Sequence, residues 1–409
     1  MNLLTNAANL AYVEELYTKY LEDPSAVSDD WKRYFGQFDG DVPGQVDTAP
    51  SFRPRASADS STQEEPENQT GVRESMVTTI MDRLRRMIEA YRAKGHWMAR
   101  VDPLERRENR VRELDPQYYG FTAEDWELLF PGEALQFSTP VSLREILARL
   151  KNTYCGSVGV EFMHLRDDSI KSWLQERMES TENRLQLSKE QRVRILSRLT
   201  DAVTFEEFIR KKFLGSKSFS IEGAETLISM LDGVIEQAAG QGLDEIVFAM
   251  AHRGRLNVLA NIIGKKPREI FHEFADPPKS SREGSGDVKY HLGHSNDYET
   301  FSGRKIHLSL CFNPSHIEFV NPVAVGRTRA KQDRVGDLER MRGMALLIHG
   351  DAGFAAEGIV QETLNLSELD AYTVGGTLHV IVNNQIGFTT PPHEGRSTAY
   401  ATDVARMLD

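Results

Sequence analysis

Four short apolar runs in the second half of the chain, Ile246–Ala251, Ile306–Phe312, Ala345–Ile348 and Leu378–Val382, each lead straight into a polar segment. Those segments are His252-Arg253-Gly254-Arg255, Asn313-Pro314-Ser315-His316, His349-Gly350-Asp351-Ala352 and Asn383-Asn384-Gln385-Ile386-Gly387. Runs of this length, separated by helix-period stretches, read as buried parallel strands of an α/β sheet. Ligands bind such sheets at the carboxyl ends of the strands, so the four polar turns converge on one candidate site.

The first half has a different grammar. Leu10, Val13, Leu16, Tyr17, Tyr20 and Leu21 recur at helical spacing up to Pro24, and a second short helix is expected from Ser28, with Asp29 and Asp30 in its first turn and Trp31, Tyr34 and Phe35 on one side. Residues 37–75 hold four prolines and eight acidic residues against three arginines, too little aliphatic surface to offset ordering entropy, and read as a disordered linker. The tethered helices of residues 1–36 suit docking to a partner; the plainer alternative is that they pack on their own globule. From Met76 to Lys94 the residues Val77, Ile80, Met81, Leu84, Met87, Ile88 and Tyr91 share a face, with Gly95 expected to end the helix in a left-handed turn. Thr122 with Asp125, Ser142 with Glu145, and Ser188 with Gln191 read as N-cap pairs, the last opening a helix with Val193, Leu196, Leu199 and Val203. The expected organisation is therefore a helical docking segment (1–36), a linker (37–75), a helical domain (76–210) and an α/β domain (211–409).

Charge narrows the function classes. Across 409 residues, 49 Lys and Arg against 61 Asp and Glu leave −12, which disfavours a general nucleic-acid or membrane-surface binder. Cys155 and Cys311 are the only cysteines and form no C-x-x-C pair, arguing against a disulfide framework or a thiolate zinc site and for a reducing compartment. With no 18-residue apolar stretch and no basic-then-apolar leader, the expected location is the cytoplasm.

Asp351 supplies an anionic oxygen and Asn384, 33 positions later, an amide oxygen, a pair suited to octahedral magnesium shared with phosphates. Gly350, Gly353 and Gly387 let backbone approach a diphosphate, and Arg253 adds a cation. A lone Gly-Asp or Asn-Asn is more economically an Asx turn; both together, each after a buried strand, favour the site. His291 and His294 have an H-x-x-H spacing but no third ligand in view, His316 and His349 read as hydrogen-bonded structural histidines, and Cys311 as a small buried apolar residue.

Gly350-Asp351-Ala352 through Asn383-Asn384 resembles the thiamine diphosphate motif, with Ala352 in the place of its last glycine, as in the 2-oxoglutarate dehydrogenase family. Further similar segments are Ile221-Glu222-Gly223-Ala224-Glu225, Ala251 to Leu259, Gly286 to Gly293, Phe312 to His316, Tyr91-Arg92 with Gly95-His96 and Asp102-Pro103-Leu104, and Leu16-Tyr17 to Trp31. The resemblance implies a parallel-sheet thiamine diphosphate-binding fold and decarboxylation of 2-oxoglutarate, with transfer of the succinyl group to a lipoyl group. Asp351, Asn384 and the Ile386 carbonyl would bind magnesium; Ala352 and Gly353 would contact the diphosphate, Ser315 and Ile317 the cofactor, and Arg253 cofactor phosphate or substrate. His252, His291 and Ser295 resemble residues that recognise the dicarboxylate, and Ser315 belongs to the same substrate set. The implied partners are dihydrolipoyl succinyltransferase and lipoamide dehydrogenase, reached through the N-terminal segment, and a second copy in a homodimer.

Members of that family are considerably longer. The chain therefore reads as an N-terminal portion, inactive alone, lacking the later domain whose glutamate activates the cofactor's pyrimidine. The bacterial cytoplasm is the expected setting, a mature mitochondrial matrix form being the alternative. A 2-oxoadipate dehydrogenase and a carboligating 2-oxoglutarate decarboxylase share the motif; a non-catalytic assembly module and a magnesium phosphohydrolase are the readings from other classes.

Overall fold

The computed structural model describes residues 19, 20, 23–27, 32, 35, 69–104, 110–132, 135, 137–275 and 291–408. Most of the two expected N-terminal helices, the linker up to residue 68 and the Gly286–Tyr290 stretch lie outside the described residues. Within residues 1–69, a compact unit of its own, Asp23 caps a turn of 3-10 helix at Pro24–Ala26, accepting the Ser25 N–H at 2.8 Å. Phe35 is buried with its ring 5.4 Å from that of Tyr20.

Residues 70–409 form the second unit, built around separate apolar cores. Helix α1 (Gln69–Lys94) begins ahead of the expected Met76, because polar residues with adequate helix propensity extend a helix whose apolar stripe starts later. Its face of Leu84, Met87, Ile88 and Tyr91 is buried as the spacing predicts. Gly95 does not end it through a left-handed cap; a Cβ there would meet the Tyr154 Cβ at 2.4 Å, so the glycine lets the helix end press against its neighbour. A two-stranded ribbon, β1 (Leu129–Phe130) and β2 (Val141–Ser142), precedes α2 (Leu143–Tyr154) and α3 (Asp168–Thr181). Ser142 and Glu145 make the expected capping box, and Thr122 and Asp125 cap a 3-10 turn. This helical core holds a buried ion pair, in which Arg92 donates to both Glu179 oxygens at 2.8 and 2.9 Å and the Tyr154 hydroxyl donates to the same carboxylate at 2.6 Å.

Helix α4 (Lys189–Lys212) opens at Ser188 and Gln191 as expected, but Val193, Leu196 and Val203 are exposed. It buries Ala202, Phe205 and Ile209 instead, in the core beneath the sheet, so packing assigns it to the sheet rather than to the helices before it. Asp232 of α5 (Thr226–Gly240) secures it, accepting from Arg194 at 2.7 Å and Arg198 at 3.0 Å.

The sheet contains β3 (Glu245–Met250), followed by the short helix α6 (Arg255–Val258), a π-helical turn and α7 (Pro267–Ala275), then β4 (His294–Glu299) and β5 (Lys305–Leu310). After α8 (Val320–Arg334) come β6 (Gly343–Gly350), α9 (Asp351–Ala356), α10 (Gly358–Asn365), β7 (Thr377–Val382) and a short α11 (Pro392–Gly395). Strand order is β4-β5-β3-β6-β7, with β5, β3, β6 and β7 parallel and β4 antiparallel on the edge. Alternate residues of β3 face opposite cores: Ile246, Phe248 and Met250 join α4 and α5, while Val247 and Ala249 meet Val320 and Ala324 of α8. The four expected strands are these parallel ones; β4, a polar strand, is held by pairing with β5 and by the Tyr298 hydroxyl donating to Asp232 at 2.9 Å. The chain leaves β3 towards β5 on one side and returns to β6 on the other, which opens a crevice at the carboxyl end of β3. Among the described residues no helix is long and apolar enough to cross a membrane.

Candidate functional site

At the end of β3 the chain turns through Gly254, whose φ of 74° is left-handed and where a Cβ would meet the Ile221 Cδ1 at 2.8 Å. That turn sends Arg255 inward, where it is wholly buried. Its guanidinium donates to the carbonyls of Met250 at 3.1 Å, Leu292 at 2.9 Å and Cys311, joining the ends of β3 and β5 to the segment before β4. One consequence is the placing of His291, whose ring stacks on that of His252 with centroids 5.0 Å apart. Burial, then the neighbouring His291 and Arg255, pull the His252 imidazole down to about 4. It is neutral at physiological pH and offers one donor and one acceptor.

At the end of β5 the Asn313 N–H donates to the His291 carbonyl at 2.9 Å, while its buried side-chain amide has no hydrogen-bond partner among the described residues. Ser315 and His316 are exposed and Ile317 half-buried, and the wholly buried Glu318 follows. Its Oε2 accepts from His349 Nδ1 at 2.6 Å and from Asn321 at 2.8 Å; Oε1 has no hydrogen-bond partner among the described residues. His349 Nε2 lies 3.0 Å from His379 Nδ1 of β7, and burial followed by the nearby His349 pulls His379 down to about 4. The buried His349 is thus hydrogen-bonded on both nitrogens, as a structural histidine at a strand end should be.

Asp351 is the first residue of α9 at the end of β6 and is 2% exposed. Its Oδ2 accepts from Arg396 at 3.2 Å, and the Arg396 Nε has no hydrogen-bond partner among the described residues. A Cβ on Gly353 would lie 2.6 Å from the Glu318 Oε1, so only glycine leaves that turn open. Gly350 pairs with Val382 in the sheet, and a Cβ on Gly387 would reach the Ala352 Cβ at 2.8 Å, which brings the Asp351–Gly353 turn and the Asn384–Gly387 loop face to face. Asn384 Oδ1 accepts the Ile386 N–H at 3.3 Å; both residues are exposed. Gln385 sits at φ 59°, its amide donating to Asp102 at 2.9 Å.

The fold therefore brings His252, His291, Ser315, Ile317, Asp351, Ala352, Gly353, Asn384 and Ile386 to one edge. Arg253 reaches the same edge but is exposed, donating to the Ser220 carbonyl at 3.1 Å. Ser295 is exposed on β4, and its pairing with Ser309 sets it beside the carboxyl end of β5, at the same edge of the sheet. Asp351, Asn384 and the Ile386 carbonyl carry hard oxygens of the kind that could hold magnesium, and the open turn at Gly353 leaves room for a diphosphate. The unpartnered Asn313 amide and Arg396 Nε are the kind of buried groups that a polar ligand would satisfy.

The sequence profile of the dehydrogenase E1 component family matches residues 197–408, which is half of the chain and begins inside α4. The chain belongs to the dehydrogenase E1 component family. A second profile, 2-oxoglutarate dehydrogenase N-terminus, matches residues 4–42. Similar curated proteins include the 2-oxoglutarate dehydrogenase E1 components of Cupriavidus necator (42% identity), Haemophilus influenzae (40%) and Brucella anthropi (41%), each matched over 98% of this chain. The chain spans 43%, 43% and 45% of those relatives' own lengths, respectively.

In this family member the sequence reading missed Arg255, Glu318, His379 and Arg396. The only signals available were a histidine within the otherwise apolar β7 run and a glutamate next to the Asn313–His316 turn. Arg396 carries none, because its role depends on a chain reversal after β7 that periodicity does not encode.

Proposed function

We propose that this chain contributes the diphosphate- and metal-binding half of a 2-oxoglutarate dehydrogenase E1 component. The observation that carries the reading is the opposition of the Asp351–Gly353 turn and the Asn384–Gly387 loop at the ends of adjacent parallel strands. When bound, thiamine diphosphate supplies an electron sink for decarboxylation of a 2-oxo acid. Asp351, Asn384 and the Ile386 carbonyl would hold its Mg2+, Ala352 and Gly353 would lie along the diphosphate, and Ser315 and Ile317 would line the pocket. Arg396, at present on Asp351, would be released by the metal's charge to meet a phosphate oxygen.

For the substrate, neutral His252 and its stacked partner His291 offer hydrogen bonds to a dicarboxylate, and Arg253 and Ser315 add a cation and a hydroxyl. Ser295, exposed beside the carboxyl end of β5, would add a second hydroxyl. His252, held neutral with its pKa lowered to about 4, and His291 stacked on it are the candidates for moving a proton during decarboxylation. The match of residues 4–42 supports assigning the N-terminal segment to docking within a 2-oxoglutarate dehydrogenase complex, against its succinyltransferase or lipoamide dehydrogenase. A homodimer in the cytoplasm completes the proposal.

Calorimetric titration of thiamine diphosphate with Mg2+ into the complete protein, beside Asp351→Ala, tests it. Metal-dependent binding should weaken at least about 100-fold in the variant, the scale expected from losing the sole carboxylate of a metal site. Carbon dioxide release should favour 2-oxoglutarate over 2-oxoadipate. Absence of binding by the folded complete protein would sink the enzyme reading and leave the docking module.

A further inference from the structure

The segment that leads from α4 into α5 grips the turn after β3 residue by residue. The Phe219 carbonyl accepts the Gly254 N–H at 2.7 Å, and the Ser220 carbonyl accepts from the Arg253 guanidinium at 3.1 Å. The buried Ile221 lies against Gly254, where a Cβ would meet its side chain at 2.8 Å. His252, which opens the turn, has the Phe219 ring beside its own, with centroids 5.1 Å apart and planes inclined at 37°. Three consecutive residues, 219–221, thus hold the three consecutive residues 252–254.

Phe219 makes these contacts from a backbone that its side chain disfavours. Its φ of 48° lies in the left-handed region, where an aromatic residue is an outlier. Such strain persists only where the surroundings over-determine it, as the contacts to residues 252–254 do here. Glycine would take the same conformation without strain and could still accept the Gly254 N–H, so the backbone does not ask for a phenyl ring. The ring brings apolar surface to an imidazole that also stacks on His291 with centroids 5.0 Å apart. The same imidazole is hydrogen-bonded to the backbone of Pro314, and since proline has no N–H, the imidazole is the donor and the carbonyl the acceptor. A donated hydrogen bond, a stacked partner and a ring wall leave the side chain little freedom to swing.

We infer that Phe219 is a positioning residue for His252: its ring fixes the imidazole in the stack with His291, from which the pair meets the distal carboxylate of a 2-oxo acid. The inference rests on the reading of His252 and His291 as substrate-facing groups. The groups that face His252 are His291, the Arg255 guanidinium and the Pro314 carbonyl. Burial is the largest of the influences that pull its pKa down to about 4, so removing the ring and admitting water should raise it.

The complete protein is compared with Phe219→Gly and Phe219→Tyr. Diethyl pyrocarbonate acylates neutral imidazole, so the rate of His252 modification against pH, followed by mass spectrometry of its peptide, reads protonation without any substrate. In the wild type and Phe219→Tyr the rate should stay level from pH 8 down to about pH 5. In Phe219→Gly its half-point should lie at least about one pH unit above the wild-type value, with melting within about 4 °C because glycine relieves the strained backbone. In carbon dioxide release from 2-oxoglutarate, Phe219→Gly should raise KM at least about tenfold and lower kcat less than about threefold, and Phe219→Tyr should keep both near wild type. A level profile in Phe219→Gly, or a Phe219→Tyr displaced as far as Phe219→Gly, would overturn the inference. So would a displaced half-point beside an unchanged KM, since the ring would then govern the charge of His252 and not its aim. A wild type inert towards 2-oxoglutarate would instead overturn the reading of the site, and the modification profile would still decide whether Phe219 holds His252.

Discussion

Two buried polar clusters in the same unit follow opposite rules. In the helical core, Arg92, Glu179 and Tyr154 satisfy one another: both carboxylate oxygens, two guanidinium nitrogens and the hydroxyl are hydrogen-bonded. At the carboxyl edge of the sheet, the Asn313 amide, Glu318 Oε1 and Arg396 Nε are buried without hydrogen-bond partners among the described residues. Leaving such a group unsatisfied costs about 1–3 kcal/mol. The complete cluster serves packing, while the incomplete one stands next to the open glycine turn at Gly353.

The largest expected effect is in the complete cluster. Glu179→Ala strands the guanidinium of Arg92 in the helical core and should destabilise the chain by about 3–5 kcal/mol, read by urea unfolding. A loss under about 1 kcal/mol would mean that the cluster is not structural and would dissolve the contrast.

Next comes pH. His252 and His379 both bind a proton less readily in the folded chain, at about 4, than an unfolded histidine does. Their contribution is therefore complete above the unfolded histidine pKa of about 6.5 and is lost as pH falls towards 4. Between pH 7 and pH 5 the two together should cost about 2 kcal/mol, after discounting for partial solvent screening. His379→Gln should flatten roughly half of that slope in paired urea titrations; an unchanged slope would show that the neutral histidines do not matter to stability.

The smallest effect sharpens the comparison most. Asn313→Ala removes a buried amide that makes no hydrogen bonds among the described residues, so its unfolding free energy should change by less than about 1 kcal/mol, although it is nearly as buried as Glu179. A loss near that of Glu179→Ala would show that the amide is already satisfied and that the edge is not waiting for a ligand.

How much of this was legible follows from what each element depends on. The parallel strands could be read because their own residues are apolar, and the caps at Ser142 and Ser188 because their partners are three residues away. Strand β4 could not, since His294–Glu299 is ordered by the backbone of β5 and by Asp232 rather than by burial. The docking face of α4 could not be read because its apolar residues exceed what the core receives; helical period alone cannot say which stripe docks. At the site, Asp351, Asn384 and the glycines were recognisable by type and spacing, and the fold gathers them at one edge. Arg255, Glu318 and Arg396 act through carbonyls and carboxylates brought from other strands, which no local pattern announces.

The bond from Gln385 to Asp102 spans 283 positions and joins the loop after β7 to the segment following α1. Because Gln385 holds a left-handed backbone at a cost of about 1 kcal/mol, the bond offsets a conformation that a non-glycine residue would otherwise abandon. In evolutionary terms the two positions share a fate: drift at residue 102 removes the reason for a glutamine at 385, and glycine becomes the natural replacement there. Across related sequences an aspartate at the first position and a glycine at the second should seldom occur together.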